Sequence, residues 1–135
     1  MAITSAICNS FKVQILTGTH NFTVTSGDTF NLALYTSSAT LNKSTTVYIT
    51  TNEVATATGY TAKGKALTSV TPVLSSDTAV CDFANVSWTS ASFTARGCLI
   101  FNDTATGDPA VCAIDFGGDK TVTSGTFTIE FPAAS

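Results

Sequence analysis

Apolar residues recur in two rhythms along this chain of 135 residues. Near the start, Ile3, Ile7, Phe11 and Ile15 fall every four residues, which puts them on one face of a helix. Gly18 follows as a C-terminal stop. The spacing predicts a short N-terminal α-helix within residues 1–18, covering roughly residues 3–16, with Cys8 beside the stripe. A helix of that length is marginal alone, so the stripe has to pack on something, a sheet face being the natural candidate.

Beyond Gly18 the rhythm changes to alternation, the mark of half-buried strands. Runs at His20–Thr25, Thr29–Tyr35, Ala66–Leu74, Thr78–Trp88, Phe93–Phe101, Ala110–Phe116 and Thr126–Phe131 read as strands. Ser26-Gly27-Asp28 and Ser75-Ser76-Asp77 supply turns, and Arg96-Gly97 interrupts one run. Cys98–Phe101 and Val111–Ile114 are apolar on both sides, as in strands covered on both faces. One face would meet the main core, the other the N-terminal helix or a neighbouring subunit. Residues Ser37–Lys65 are rich in Thr and Ser with weak periodicity, and read as a long irregular excursion. Excursions of that length are usually functional or mobile. Seven or eight short strands predict an all-β fold in one domain over residues 1–135: an antiparallel β-sandwich or jelly roll with a short N-terminal α-helix. A partly open barrel is the alternative.

Composition sharpens this picture. Only 11% of residues are charged, against about a quarter in ordinary soluble proteins. A sparsely charged surface costs little to desolvate when a partner covers it, which suits a member of an assembly. The net charge is −3, and Lys12, Lys43, Lys63, Lys65, Arg96 and Lys120 are scattered, so no nucleic-acid partner is expected. Met1–Ser5 has neither a charged start nor a long apolar run, so no signal peptide, membrane span or membrane partner is expected. Cys8, Cys81, Cys98 and Cys112 contain no CxxC pair and sit among apolar residues. They read as buried reduced thiols, with one disulfide as the alternative.

Candidate chemistry is thin. Asp115-Phe116-Gly117 matches a kinase metal motif but lacks its companion motifs, and reads as a strand end followed by a turn of the chain. His20 could serve as a base, yet nothing in the sequence singles out a nucleophile and an orienting group beside it, so a structural role is expected. Asp103, Asp108, Asp115 and Asp119 occupy neighbouring loops without a calcium-loop spacing, and read as solvated turn carboxylates. Nine acidic residues allow a glycosidase-like carboxylate pair, but no aromatic-rich cleft accompanies them. No catalytic residue, cofactor or metal is expected. The sequons at Asn21, Asn42, Asn85 and Asn102 have no secretion route and are disregarded. Tyr48 and Tyr60, in the excursion, are candidate interface anchors, the alternative being that they tuck their own loops down. Ile7 and Phe11, on the helix stripe, complete the candidate protein-interface set.

An ordered set of phrases carries a resemblance: Ser10-Phe11-Lys12; Gly18-Thr19-His20-Asn21-Phe22; Phe30 through Leu41; Asn52-Glu53-Val54; Gly59-Tyr60-Thr61-Ala62; Cys81-Asp82-Phe83; Ala95-Arg96-Gly97; and Asp115-Phe116-Gly117. Spanning nearly the whole chain, this set resembles a family of small structural virion proteins of tailed bacteriophages. The resemblance implies a non-enzymatic particle component, most directly a capsid cement or decoration protein on the head surface, assembled in the bacterial host cytoplasm. Its implied partners are the major capsid protein and copies of itself as a homo-oligomer. A tail, adaptor or fibre component that binds the host is the alternative. Family members often run on beyond the equivalent of Phe131-Pro132, so a C-terminal tail function is not carried over. A cement protein works by area, each copy burying about 1,000 Å² or more. The excursion is expected to make such contacts and to be removable, over residues 40–63, without unfolding the core.

Overall fold

A computed structural model describes residues 2–57 and 59–132. It is mostly antiparallel β, with 52% of residues in strands and 6% helical. The elements run β1 (Ala6–Ile7), α1 (Asn9–Leu16), β2 (Phe30–Tyr35), β3 (Lys65–Ala66), β4 (Ser69–Ser75), β5 (Thr78–Phe83), β6 (Val86–Asn102) and β7 (Ala110–Ile129). Five strands form one sheet in the order β1-β7-β6-β2-β3, and β4 and β5 form a separate two-stranded arm.

β2 is buried at all six of its residues. Its alternation sends Phe30, Leu32 and Leu34 to one face, where Cys98 and Ile100 of β6 join them. Ala33 and Tyr35 point to the other face beside Leu99 and Phe101. The sheet thus has a core on each side, as the doubly apolar runs in β6 and β7 predict. The first core is closed by Trp88, Ala91 and Ala95 from the distal half of β6, by Phe83 of β5 and by Val54 and Tyr60 of the excursion. The second is closed by Ile3, Cys8, Ala39 and Leu41, with Tyr48 and Ile49 packed against it.

Several expected elements differ. The expected run Thr78–Trp88 is broken at Ala84-Asn85: its first part is β5, and Val86–Trp88 continues through Phe93–Phe101 as one strand of 17 residues, while Ala110–Phe116 and Thr126–Phe131 fall largely within one of 20. Register shifts near Trp88, Ala91 and Ala95 bend this ribbon instead of ending it. Gly117 sits in such a bulge at φ 83°, so the chain does not reverse after Asp115. No strand forms over His20–Thr25. There the Asn21 side chain accepts the Thr23 N–H and the Asn21 backbone pairs with Asp28, giving the chain a local alternative to a ladder.

The helix is shorter than the stripe suggests. Residues 3–7 are extended: Ile3 bridges Leu41, and Ala6 and Ile7 pair with Ala113 and Cys112. Those residues satisfy the open edge of β7, which an eight-residue helix without a side-chain N-cap cannot outweigh. Ile3 leaves the stripe to fill the space above Gly97, where an added Cβ would lie 2.8 Å from Ile3 Cδ1. The predicted stop holds: Gly18 adopts φ 80° and the Thr19 N–H returns to the Gln14 carbonyl, a Schellman closure.

Gly64 admits the excursion back into the sheet beside β2. It has φ 68°, and a Cβ there would sit 1.8 Å from the Leu32 carbonyl oxygen. Gly64→Ala is expected to cost roughly 2–5 kcal/mol, adding left-handed strain to a backbone clash. Denaturant unfolding of the two proteins checks this; equal midpoints would contradict the packing at Leu32.

Candidate functional site

The excursion is folded around one carboxylate. The Tyr48 hydroxyl donates to Glu53 Oε1 at 2.6 Å, the Tyr60 hydroxyl donates to Glu53 Oε2 at 2.6 Å, and the Lys63 N–H donates to the same oxygen at 2.8 Å. Tyr60 also accepts the Leu34 N–H at 2.9 Å, which ties the hub to β2. Tyr35 donates to the Ile49 carbonyl at 2.6 Å. Burial first, then the neighbouring carboxylate, raises the Tyr60 and Tyr48 phenols above their ordinary range, so both remain donors at any physiological pH.

This places the nominated anchors. Tyr60 is 2% exposed and spends its hydroxyl internally, leaving no surface for a partner. Tyr48 is half-buried, stacked on Phe101 with ring centroids 4.7 Å apart. The excursion also contributes Leu41 and Val54 to the two cores, so residues 40–63 are not a removable appendage. In the sequence Glu53 has no role beyond its place in the Asn52-Glu53-Val54 phrase. Its signal is a lone carboxylate between two tyrosines in a stretch where charge is scarce.

His20 is buried and fully engaged. Asn102 Nδ2 lies 3.1 Å from His20 Nδ1 and can only donate, so Nε2 carries the ring proton and donates to Gln14 Oε1 at 2.9 Å. Asn102 also donates to Asp28 Oδ2 at 2.7 Å, and its own oxygen accepts the Thr104 and Ala105 N–H groups. Phe11 packs on the imidazole at 4.8 Å between centroids. The cluster locks helix, loop and the end of β6 together. All four aspartates face a cation: Lys63 contacts Asp103 and Asp108, in the loop before β7, at 3.2 and 2.9 Å, and Arg96 contacts Asp115 and Asp119, which lie in β7 and not in the expected loop, at 3.4 and 3.7 Å. Among the described residues no three His, Cys, Asp or Glu side chains converge as metal ligands.

Several large apolar side chains remain outward. Ile7 is 49% exposed, and on α1 Val13 and Leu16 are 64% and 87% exposed. Phe11 is half-buried against His20 and Phe22. On the arm, Val73 and Leu74 are 57% and 72% exposed, and β4 has no buried residue. An open groove of about 520 Å³ is lined by β7 and the residues after it, and an adjoining one of about 570 Å³ lies between β5 and the β6–β7 ribbon; they share Ile114, Phe131 and Pro132. Cys81 and Cys112 line the second. All four thiols are free, and Cys81 is exposed instead of buried. Burial pushes the Cys112 thiol up to about 12, so it is protonated at neutral pH.

No protein-family model matches the chain, and no curated protein or solved structure matches it. Among the described residues no helix is long and apolar enough to cross a membrane.

Two outcomes follow from this geometry. Tyr60→Phe and Glu53→Gln should each cost roughly 1–3 kcal/mol, because each leaves a buried polar group without its partner. The double variant should cost less than the sum, which a double-mutant cycle in denaturant measures. The second concerns pH. Burial lowers the His20 pKa below its ordinary 6.5, with Asp28 opposing. The unfolded chain therefore binds the extra proton first, and stability falls as pH drops below about 6.5. His20 being the one histidine, His20→Gln should flatten the stability slope between pH 7 and pH 5; an unchanged slope would assign the effect elsewhere.

Proposed function

We propose that this chain is a non-enzymatic structural protein of a bacteriophage virion, a capsid cement or decoration protein that binds the outer head surface through protein–protein contacts. The observation that carries this reading is the arm. Phe83 anchors the base of the arm in the core, yet the arm presents Val70, Val73 and Leu74 to solvent on a strand with no buried residue. Such a surface becomes stable when a neighbour covers it. The polar groups that might suggest chemistry, His20, Glu53, Tyr48 and Tyr60, are tied into hydrogen bonds that hold loops. The sparse charge and the ordered phrase resemblance point the same way. The major capsid protein is the proposed partner. A β-sandwich of jelly-roll type is the proposed finer architecture, supported by the packing of the distal β6–β7 ribbon and β5 over one face of the main sheet.

Immunogold electron microscopy of intact particles tests the placement. Label spread over heads is expected; label confined to the tail or its tip would replace this reading with the tail or fibre alternative. Val73→Ser/Leu74→Ser should leave the circular dichroism spectrum unchanged and weaken particle binding about tenfold to a hundredfold, the effect of losing two buried aliphatic side chains.

A further inference from the structure

We propose that the free edge of β7 takes up one extended peptide segment of a protein partner, added to the sheet as a further strand. The inference rests on the reading of the chain as a protein that acts by contact, and it places a contact away from the aliphatic side chains of the arm.

β7 runs for 20 residues, yet β1 pairs with it only at Cys112 and Ala113. Ser5 Oγ accepts the Asp115 N–H just beyond. Past that point, among the described residues, no strand lies on this side of β7. From Gly117 to Gly125 the edge is guarded. Its register to β6 shifts repeatedly, Gly117 and Ser124 have positive φ, and Asp119 and Lys120 add charge, all of which discourage a further strand. The guard ends before Phe127. Phe127, Thr128 and Ile129 pair in unbroken register with Trp88, Ser87 and Val86. The Phe131 N–H turns to the β6 side, donating to Asn85 Oδ1 at 2.8 Å, and strand alternation gives Ile129 and Phe127 the same direction. Thr128 and Ser87 are then a close pair without ladder bonds, and their hydroxyls meet at 2.9 Å. Thr128 and Glu130 therefore direct their N–H and C=O groups away from β6. Among the described residues no backbone partner meets them there.

That open side is the groove of about 520 Å³. Consecutive residues of both parities, Phe127 through Pro132, line it, so it follows the edge of the strand and not one face alone. Ile114 and Phe116 line it too, the Phe116 ring 6.2 Å from that of Phe127. At Phe131 and Pro132 it continues into the adjoining groove beside β5. This lining selects the class of occupant. A lipid or other apolar small molecule would cover the apolar walls and leave the backbone groups unmet. Lys120 and Glu130 are the charged groups of the lining, one of each sign, so neither an anionic nor a cationic head group is favoured. An extended peptide meets both features: its backbone pairs with Thr128 and Glu130, and its alternate apolar side chains cover the half-buried Phe116, Phe127, Ile129 and Phe131.

A displayed library of random linear peptides, selected on the immobilised full chain, tests this. The enriched peptides should alternate apolar and polar residues and lack proline at their centre. Thr128→Pro removes one outward N–H and obstructs the edge while leaving the bonds to β6, and should bind the selected peptides about tenfold or more weakly by fluorescence anisotropy. Thr128→Val keeps that N–H and should bind as the wild type does. Glu130→Pro lies one residue past the ladder and should repeat the loss, which keeps the test decisive if circular dichroism shows Thr128→Pro unfolded. No enrichment, no alternation among enriched peptides, or undiminished binding by the folded proline variants would overturn the proposal. Two other occupants would also overturn it. Saturable binding of a fluorescent long-chain fatty acid, with no peptide enriched, assigns the groove to a small apolar molecule. Self-association that Thr128→Pro abolishes, read by sedimentation velocity, assigns the edge to a second copy. Peptides that bind as expected, with no immunogold label on particles, support the edge and defeat the particle reading. Labelled heads with no enriched peptide defeat the edge and leave that reading standing.

Discussion

β2 is closed to solvent along its whole length, and the rest of the architecture answers to that. A strand buried on both faces needs two covering layers, yet the main sheet has only five strands, two of them two residues long. The chain meets the demand in different ways on the two sides. One face is covered largely by the bent distal ribbon and the arm, elements with their own ladders. The other is covered by the N-terminal segment and the excursion, which have almost none.

Irregular chain can cover a core only if its backbone and side-chain polar groups are satisfied. Glu53 and the Asn102–His20–Asp28 cluster do this. Each gathers donors from segments far apart in sequence and fixes a loop against the sheet. Glu53 binds the excursion to β2 through Tyr60. Asn102 joins the end of β6 to the helix by way of His20 and to the following loop by its carbonyl. A carboxylate, an imidazole and three tyrosines that could suggest a reactive site are thereby committed to structure.

With the Glu53 hub and the Asn102–His20–Asp28 cluster turned inward, the surface of the described residues is rich in threonine and serine, with exposed aliphatic side chains on α1 and β4.

Several features were legible in the sequence because they depend on neighbours along the chain. Alternation over Phe30–Tyr35 fixed a strand with two faces. The doubly apolar runs at Cys98 and Val111 announced burial on both sides. Gly18 marked the helix end, since its left-handed conformation is a local property. Other features depended on partners distant in sequence. Ile3 and Ile7 keep helical spacing, but the unpaired edge of β7 draws them into extended chain. Phe22 and Val24 alternate like a strand, yet Asn21 and Asp28 close the segment into a loop. Tyr60 looks like a loop-borne anchor until Leu34 and Glu53 bury its hydroxyl. The sequence by itself determined an all-β fold with a doubly covered sheet and a sparsely charged surface, because periodicity and composition encode burial. Only the tertiary structure decided which apolar residues remain outside and which charges remain unpaired, because both depend on contacts between segments tens of residues apart.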